Sequence, residues 1–321
     1  MLNPSSNLTS TNIALCSILF HDGVLPPERV VGRAILCVVN MISSLFAVVA
    51  NILVIWAIKN TPSLHSPSSA LLCVLAASDF AVGAFIQPLS VIHVIGIFTN
   101  NFRLYCVSGS ILLPSATFLG GCSFVTMTAI SVERYLALTL HLRYAAIVTV
   151  NRVLKCIFTI CIFFFTFMIM SFWFLLTDWY RTTVASLGLF TIVVCTFAIP
   201  FSYYRIFKIL RRHRQQIHDQ TVIAKGIHGL SHINVSKYRK SVFTFLYVLG
   251  ALILTYLPIE ISLVILWIDY TEYNKFVFSI TGTLVLLNSS INPVVYCWRI
   301  KEIRRFVVSK LRSTFGAERP T

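Results

Sequence analysis

The chain has 321 residues, of which 57% are hydrophobic and 12% charged, and its mean hydropathy is +0.81. Soluble globular domains carry about twice that share of charged residues, roughly 25%, so the composition excludes an ordinary soluble fold and indicates a single polytopic membrane domain. The net charge of +15 would favour nucleic acid as the partner of a soluble protein. Here the basic residues flank apolar segments instead, and we expect no nucleic-acid binding.

Seven stretches are long and apolar enough to cross a bilayer, whose hydrocarbon core of about 30 Å takes about 20 helical residues. Because lipid offers the backbone no hydrogen bonds, each stretch is expected to be a helix. We number them the first to seventh spans, at 31–58, 68–95, 104–138, 153–177, 184–210, 240–268 and 275–298. The predicted organisation is an N-terminal segment over 1–30, an all-α bundle of seven transmembrane helices over 31–298, and a tail over 299–321.

The tail begins with an amphipathic pattern between Arg299 and Leu311. Its apolar residues are Ile300, Ile303, Phe306, Val307 and Val308. One apolar face among lysines and arginines predicts a short eighth helix lying in the membrane interface. The alternative is an ordinary solvated basic tail.

Lysine and arginine are distributed unequally between the two sides of the predicted bundle. Of the 26 in the chain, 21 fall on one side and 5 on the other. The five are Arg29, Arg33, Arg103, Arg181 and Lys275. The basic side of a membrane protein is cytoplasmic, which makes the N-terminus extracellular. Asn7 then begins an Asn-Leu-Thr glycosylation sequon on the extracellular side.

Asp79 is an acidic residue within the apolar second span. A carboxylate at that depth must be neutralised or find a cation and oxygen ligands. The other spans contribute further polar residues, namely Asn51, Ser123, Asn288, Ser289 and Asn292. One carboxylate with hydroxyl and amide oxygens suits a small hard cation such as sodium, and the alternative is a polar cluster that joins helices through water. The residues alone leave both interpretations open.

Glu260 is a second acid within a span, two residues after Pro258 in the outer half of the sixth span. One interpretation is a carboxylic acid that stays protonated or is tied to a backbone carbonyl. The other is a counter-ion for a basic group on a ligand. Both stay open from the sequence.

The sequence Glu133-Arg134-Tyr135 stands at the cytoplasmic end of the third span. An arginine beside an acid at that depth can form a local pair that another surface later breaks, which would make a bistable element. Prolines within the spans predict helix kinks. They are Pro88, Pro114, Pro200, Pro258 and Pro293.

Five motifs occur along the chain, one in each of five spans. They are Asn51 with Leu53-Val54, Leu75-Ala76-Ala77-Ser78-Asp79, Glu133-Arg134-Tyr135, Tyr256-Leu257-Pro258 and Asn292-Pro293-Val294-Val295-Tyr296. In this order and at these membrane faces, they make the chain from about residue 35 to 312 resemble the rhodopsin-like, class A, G-protein-coupled receptors. The resemblance implies a plasma-membrane receptor without enzymatic activity. It would bind an extracellular ligand and activate a heterotrimeric G protein by population shift, with arrestin and membrane lipids as further partners.

The resemblance also assigns roles to residues. It places Asp79, Ser123, Asn288, Ser289 and Asn292 in the family's allosteric sodium pocket, which favours the sodium interpretation, and it implies no required cofactor beyond this ion. It assigns to the cytoplasmic switch Glu133, Arg134, Tyr135, Tyr203, Asn292, Pro293 and Tyr296. Leu142 matches the apolar knob that enters the G protein.

The ligand pocket that the resemblance implies is mostly apolar, with Glu260 as its charged anchor. Its predicted lining is His93, Thr117, Gly120, Tyr256, Ile259, Glu260, Leu263 and Phe278. Leu286 stands where light-sensing relatives carry the retinal lysine, and Ala116 stands where amine receptors carry an aspartate. In its short outer loop without cysteine and its missing fifth-span proline, the chain resembles the melanocortin, cannabinoid and lysophospholipid receptors. A basic small molecule or short peptide fits Glu260, and a lipid fits the rest.

Other positions also depart from the family pattern. Cys106 lies about one turn above the usual disulfide position, and the loop near 177–184 has no cysteine, which leaves a Cys16–Cys106 disulfide or two free thiols as the alternatives. Tyr256 replaces the usual sixth-span tryptophan. Tyr238 stands where Arg134 usually has an acidic partner, which predicts raised basal activity.

Three rival interpretations are set against a signalling receptor. A transporter or channel commonly shows internal repeats, and we find none in the sequence. A seven-span enzyme would gather histidine and aspartate at one face, and no such cluster is visible. A receptor-like decoy would bind ligand without activating G proteins, and the altered switch at Tyr256 motivates it.

Overall fold

The computed structural model describes residues 27–140, 143–173, 254–266, 268–269 and 271–315, with isolated helical positions between 190 and 208 and at 250. Within these residues the chain is helical and contains no β-strand. The fifth span, predicted over 184–210, and the cytoplasmic stretch that follows it lie largely outside the described residues.

The described helices coincide with the predicted spans. The first span is Pro27–Asn60, the second is Pro67–Phe98, the third is Phe102–Leu140, the fourth is described over Val150–Trp173, the sixth over Leu254–Leu266, and the seventh is Glu272–Arg299. A 3₁₀ turn, Pro62–Leu64, and a short helix, Tyr144–Ile147, lie in the connections.

The helices begin and end a few residues beyond the predicted boundaries because hydropathy marks only their apolar parts. The seventh span was predicted from 275, but the Thr271 hydroxyl accepts a hydrogen bond from the Asn274 backbone N–H at 3.3 Å and caps a helix that begins at Glu272. Ser66 caps the second span in the same way, through the Ser69 backbone N–H. Such N-caps satisfy donors that a helix start leaves unpaired.

Four helices among the described residues are long and apolar enough to cross a membrane: Arg29–Asn60, Pro67–Phe98, Phe102–Ala137 and Glu272–Arg299. The first of them carries an exposed apolar stripe at helical spacing. Its members include Val31, Ile35, Val38, Ile42, Leu45, Val49 and Ile52. Such a stripe is what a helix on the outside of a lipid-embedded bundle presents to the acyl chains.

A buried core joins the first, second, third, fourth and seventh spans. It contains Val54, Leu71, Leu75, Phe124, Met127, Ile130, Ile157 and Tyr296. The first and second spans approach closely at Gly83, where a Cβ would lie 2.9 Å from the Cβ of Ala47. Small residues permit such close backbone approach between membrane helices.

The second span changes its helical geometry in its middle. Residues Pro67–Ala81 are α-helical, Val82–Ile86 form a π-helical turn, and Gln87–Phe98 continue as α-helix. Pro88 has no N–H and its ring clashes with the carbonyl four residues earlier. The π-turn lies at that point and absorbs the clash, which accounts for the distortion predicted at Pro88.

The eighth helix, predicted over 299–311, lies at Lys301–Phe315. Extended backbone at Ile300 separates it from the seventh span. Ile303 is fully buried, and the Phe306 ring meets the Trp56 ring edge-on with centroids 5.6 Å apart. The apolar face of this helix therefore packs against the cytoplasmic end of the first span.

Candidate functional site

The residues predicted to bind sodium are buried positions of the second, third and seventh spans, and we call them the Asp79 cluster. They are Asp79, Ser123, Asn288, Ser289 and Asn292, and all five are buried. The Asn292 side-chain N–H donates to Asp79 Oδ2 at 2.8 Å, which joins the second span to the seventh. The Ser123 hydroxyl lies 2.9 Å from the hydroxyl of Ser78, the neighbour of Asp79. The helices thus converge on one carboxylate.

The surroundings of the Asp79 cluster fit a small cation. Asp79 forms no ion pair with a lysine or arginine among the described residues. Its neighbours offer neutral hydroxyl and amide oxygens, which are the ligands that hard cations prefer. The Asn51 side chain donates to the backbone carbonyls of Ala47 and Ser289 at 2.9 and 3.0 Å, while its Oδ1 is buried without a hydrogen-bond partner in the described part of the chain. A buried acceptor of this kind suits a bound water or ion.

The cytoplasmic switch residues form a second cluster around Glu133, whose side chain is 4% exposed. Arg134 Nε lies 3.6 Å from Glu133 Oε2, so the predicted local pair is present. Ser68, at the start of the second span, donates its hydroxyl to the same Oε2 at 2.6 Å. The Tyr144 hydroxyl, in the short helix after the third span, donates to Oε1. We call Ser68, Glu133, Arg134 and Tyr144 the Glu133 cluster.

Tyr144 lies outside the membrane spans, and the pKa of its phenol shows whether it donates or accepts in its hydrogen bond with Glu133. Burial raises the pKa of the Tyr144 phenol, and its hydrogen bond with the Glu133 carboxylate raises it further. The phenol therefore stays protonated near neutral pH and acts as a donor. Two hydroxyl donors and one guanidinium therefore satisfy the buried Glu133 carboxylate, as a buried polar group requires.

Other predicted switch residues have different environments. Tyr296 is buried in the core, and its hydroxyl has no hydrogen-bond partner among the residues that the structure covers. Pro293 lies inside the seventh helix, as predicted for a kink. Tyr135 is half-buried at the end of the third span. Leu142, Tyr203 and Tyr238 lie outside the described residues, so their predicted roles stay predictions.

Tyr256, one of the residues predicted to line the ligand pocket, contacts the third span. The Tyr256 hydroxyl donates to the Gly120 carbonyl at 3.5 Å, and its ring centroid is 5.1 Å from that of Phe124. A Cβ at position 120 would lie 3.5 Å from that hydroxyl oxygen. That distance is an ordinary van der Waals contact, so position 120 has room for a methyl group but not for a larger side chain.

Glu260 is half-buried one turn above Tyr256 and makes no ion pair among the described residues. Ile259 faces the seventh span near Gly282. The remaining two sixth- and seventh-span residues of the predicted lining, Leu263 and Phe278, are also half-buried. The pocket that these residues were predicted to line, and their contacts with a ligand, stay predictions.

Two predicted lining residues make contacts within the protein. His93 Nδ1 lies 3.1 Å from the Tyr105 carbonyl and 3.2 Å from the Ser108 hydroxyl, and its ring stacks on Tyr105 at 4.7 Å. These contacts join the second span to the third, a structural role for His93 that the sequence did not indicate. Thr117 is exposed, and its hydroxyl donates to the Leu113 carbonyl at 2.9 Å.

Cys106 is disulfide-bonded, so the alternative of a free thiol at this position is wrong. Cys37, Cys73, Cys122, Cys156, Cys161 and Cys297 are free. The predicted partner, Cys16, lies outside the described residues, and so does the glycosylation acceptor Asn7.

Three residues of these clusters were missed in the sequence. Ser68 and Tyr144 carry no motif, and only the fold brings them to Glu133. Arg33 was counted only among the extracellular basic residues, yet it is 5% exposed and lies 3.9 Å from Glu272. Its position two residues inside an apolar span was the available signal, because a charge there is costly and usually functional.

Several known proteins are similar to this chain in sequence. The model of the seven-transmembrane receptors of the rhodopsin family matches residues 50–296. Adenosine receptor A3 of Canis lupus familiaris is 25% identical over 288 residues, which cover 83% of this chain and 87% of that protein. Adenosine receptor A3 of Ovis aries is 26% identical over 292 residues, covering 83% and 86%. 5-Hydroxytryptamine receptor 1E of Homo sapiens is 27% identical over 134 residues, covering 42% and 36%.

Proposed function

The chain belongs to the rhodopsin family of seven-transmembrane receptors, and on that premise we propose that sodium at the Asp79 cluster and the contacts of the Glu133 cluster together hold this receptor at rest. The protein is a multi-pass plasma-membrane receptor that binds a ligand and signals through heterotrimeric G proteins, and it is not an enzyme. The observation that carries the proposal is the buried Asp79, which is bonded to Asn292 and has no basic partner among the described residues.

The proposed sodium site would be held by the Asp79 carboxylate and the neutral oxygens of its cluster. When bound, the ion supplies the positive charge that this carboxylate lacks. Asn292 belongs to the same seventh-span segment as Pro293 and Tyr296, so movement of that segment on activation would change the ligand set. An ion that binds one state better than another shifts the population toward the first, and sodium would therefore favour the resting arrangement.

Sodium dependence can be measured on the purified receptor without any agonist. Thermal unfolding in sodium chloride is compared with unfolding at equal ionic strength in choline chloride, whose cation is too large for the site. At ten times its dissociation constant, the ion would stabilise the receptor by about 1.4 kcal/mol. Asp79→Asn should abolish the difference.

Thr283→Val is the matched control, because Thr283 is a buried polar residue of the seventh span that bonds Asn40 rather than Asp79. It should keep the sodium effect of the wild type. Equal stability of the wild type in the two salts, or an unchanged sodium effect in Asp79→Asn, would refute the ion site.

At the cytoplasmic face, the proposed switch is opening of the Glu133 cluster, which releases Arg134 from Glu133 and separates Glu133 from the hydroxyls of Ser68 and Tyr144. The pair is a candidate because Glu133 is buried and held by donors from two other segments, whereas the Arg134 side chain is 40% exposed. Opening would free the arginine for the G protein. Arrestin is proposed as a second partner of the same face on the ground of the family alone, and the apolar outer stripe supports contact with membrane lipids.

We place the N-terminus outside the cell, because the side with fewer basic residues carries it. A tag before residue 27 should be stained by antibody on intact cells. Asn7→Gln should remove a glycosidase-sensitive mass increment. Staining only after permeabilisation would overturn the orientation.

We propose Glu260 as the anchor for a basic group of the ligand. Its half-buried position and its lack of an ion pair in the described part of the chain support this role. The relatives named for adenosine and 5-hydroxytryptamine suggest a compact polar ligand as one candidate class, beside the short peptide and the lipid.

A further inference from the structure

Arg33 is a buried cation near the outer end of the first span. It is 5% exposed, and its Nη2 lies 3.9 Å from Glu272 Oε2, which is a long ion-pair distance. Its Nε is buried and has no hydrogen-bond partner among the described residues. A buried guanidinium costs several kcal/mol unless its donors are satisfied, so this arrangement leaves Arg33 incompletely compensated.

Glu272 cannot compensate Arg33 alone because it serves a second cation. Lys275 Nζ lies 2.6 Å from Glu272 Oε1, much closer than the guanidinium. Glu272 thus serves two cations through its two carboxylate oxygens, and its closer contact is with Lys275. The Arg33 and Lys275 side chains are 6% and 12% exposed, so water solvates both of them poorly.

The two cations stand on helices that are packed tightly together. A Cβ on Gly32 would lie 2.4 Å from the Phe276 ring, so the first and seventh spans are in direct contact beside Arg33. The start of the seventh span is fixed by Asn274, which donates to the Asp269 carbonyl at 2.7 Å. The site is therefore preorganised on rigid elements, as binding groups should be.

We propose that Arg33 and Lys275 form a recognition site for an acidic group of the ligand, a carboxylate or a phosphate, and that Glu272 is the resident counter-ion that this group replaces at Arg33. A planar guanidinium binds such groups through two parallel hydrogen bonds, and the unpartnered Nε is one of the donors available for that geometry. The proposal rests on the outward orientation of the N-terminus given above.

The rival explanation is a structural clamp in which Arg33 and Glu272 only join the first and seventh spans. The two explanations predict different effects of Glu272→Gln on the affinity for an anion. A clamp loses stability when Glu272→Gln removes its acid and gains no affinity for anions. An anion site loses its internal competitor and should bind an acidic probe more tightly.

The test uses the full-length receptor purified into phosphatidylcholine nanodiscs and measures probe affinity by thermal shift. Oleic acid is compared with oleamide, and oleoyl lysophosphatidate with oleoyl lysophosphatidylcholine, so each pair shares its chain and differs in charge. Inorganic phosphate and glutarate test soluble acids. Preference for the charged lipids alone identifies a lipid headgroup, and stabilisation by the soluble acids identifies a free acid; either result supports the site.

Arg33→Gln should reduce the affinity for the acidic probe at least tenfold, and Arg33→Lys should retain part of it. Glu272→Gln should raise that affinity. Arg103→Gln is the matched control, because Arg103 is an exposed arginine on the same side of the membrane, and it should leave the affinity unchanged. If Arg33→Gln does not fold, Lys275→Gln and Glu272→Gln decide the matter, with a loss and a gain expected.

Equal binding of charged and neutral probes by the wild type would overturn the proposal. So would an equal effect of Arg33→Gln and Arg103→Gln, or no gain in Glu272→Gln. The binding readout needs no G protein, so its failure is distinguishable from a failure of signalling, which nucleotide exchange measures separately.

Discussion

Replacing Glu133 by glutamine keeps the shape of the side chain and removes the charge that holds Arg134. In the structure Glu133 is 4% exposed, accepts hydrogen bonds from Ser68 and Tyr144, and lies 3.6 Å from Arg134 Nε. Glu133→Gln should therefore weaken all three contacts at once. Because the proposed opening of the cytoplasmic face would release these contacts, the substitution should raise signalling in the absence of ligand.

The free-energy change expected for Glu133→Gln can be estimated from its three contacts and the exposure of Arg134. The Arg134 side chain is 40% exposed, so its ion pair contributes as a surface pair does, at most about 1 kcal/mol. Two hydrogen bonds to a charged acceptor become bonds to a neutral one, a loss of about 0.5–1 kcal/mol each. The sum, about 2 kcal/mol, corresponds to roughly a 30-fold change in the equilibrium between resting and open states.

The assay is ligand-free activation of G-protein dissociation sensors, normalised to receptor at the cell surface. Tyr144→Phe and Ser68→Ala should each raise basal activity less than Glu133→Gln does. Glu302→Gln is the matched control, because Glu302 is an exposed acid in the first turn of the eighth helix. Basal activity of Glu133→Gln at or below the wild-type level, with equal surface expression, would refute the proposed hold on Arg134.

Three further predictions concern the outer half of the bundle. Glu260→Gln should lower the potency of a cationic agonist by about tenfold or more, the loss of one charge-assisted bond; unchanged potency in a concentration–response series would exclude the counter-ion role. Gly120→Leu should destabilise the receptor by about 1–3 kcal/mol through overpacking against Tyr256, whereas Gly120→Ala should unfold near the wild-type temperature because its Cβ makes an ordinary contact; equal melting temperatures of the two variants would contradict this packing. Cys106→Ser should lower thermal stability by about 2–4 kcal/mol, and if Cys16 is its partner, Cys16→Ser should lower it equally and the double variant no further; additive losses would exclude that pairing.

The helices could be predicted from the sequence because membrane burial leaves a strong signal. Apolar runs long enough to cross the bilayer gave the spans, and the seventh helix begins before its predicted start because the polar residue Thr271 caps it. The π-turn at Val82–Ile86 could be anticipated only as a distortion near Pro88. Hydropathy does not predict which kind of helical turn relieves the clash at a proline.

The candidate site was predictable where it is built on motif residues and not where it is built on contacts. Asp79 and Asn292 could be placed together because both are costly in lipid and must find partners. Ser68 and Tyr144 are ordinary residues by composition, and only the approach of the second span and the short helix to Glu133 gives them a role. Arg33 stands two residues inside an apolar span, which marks it as a costly charge, but the sequence does not show whether a charge near a helix end is buried in the protein or reaches water.

The most direct test of the account is nucleotide exchange on purified heterotrimeric G proteins by the receptor in nanodiscs, without ligand. Raised basal activity is expected, because Tyr238 stands where the family usually places an acidic partner for Arg134. The wild type should accelerate exchange on at least one G-protein class above empty nanodiscs, low sodium should increase the rate, and Arg134→Ala should abolish it. Exchange no faster than with empty nanodiscs for every class, in sodium and in choline, would contradict a signalling receptor and favour a decoy.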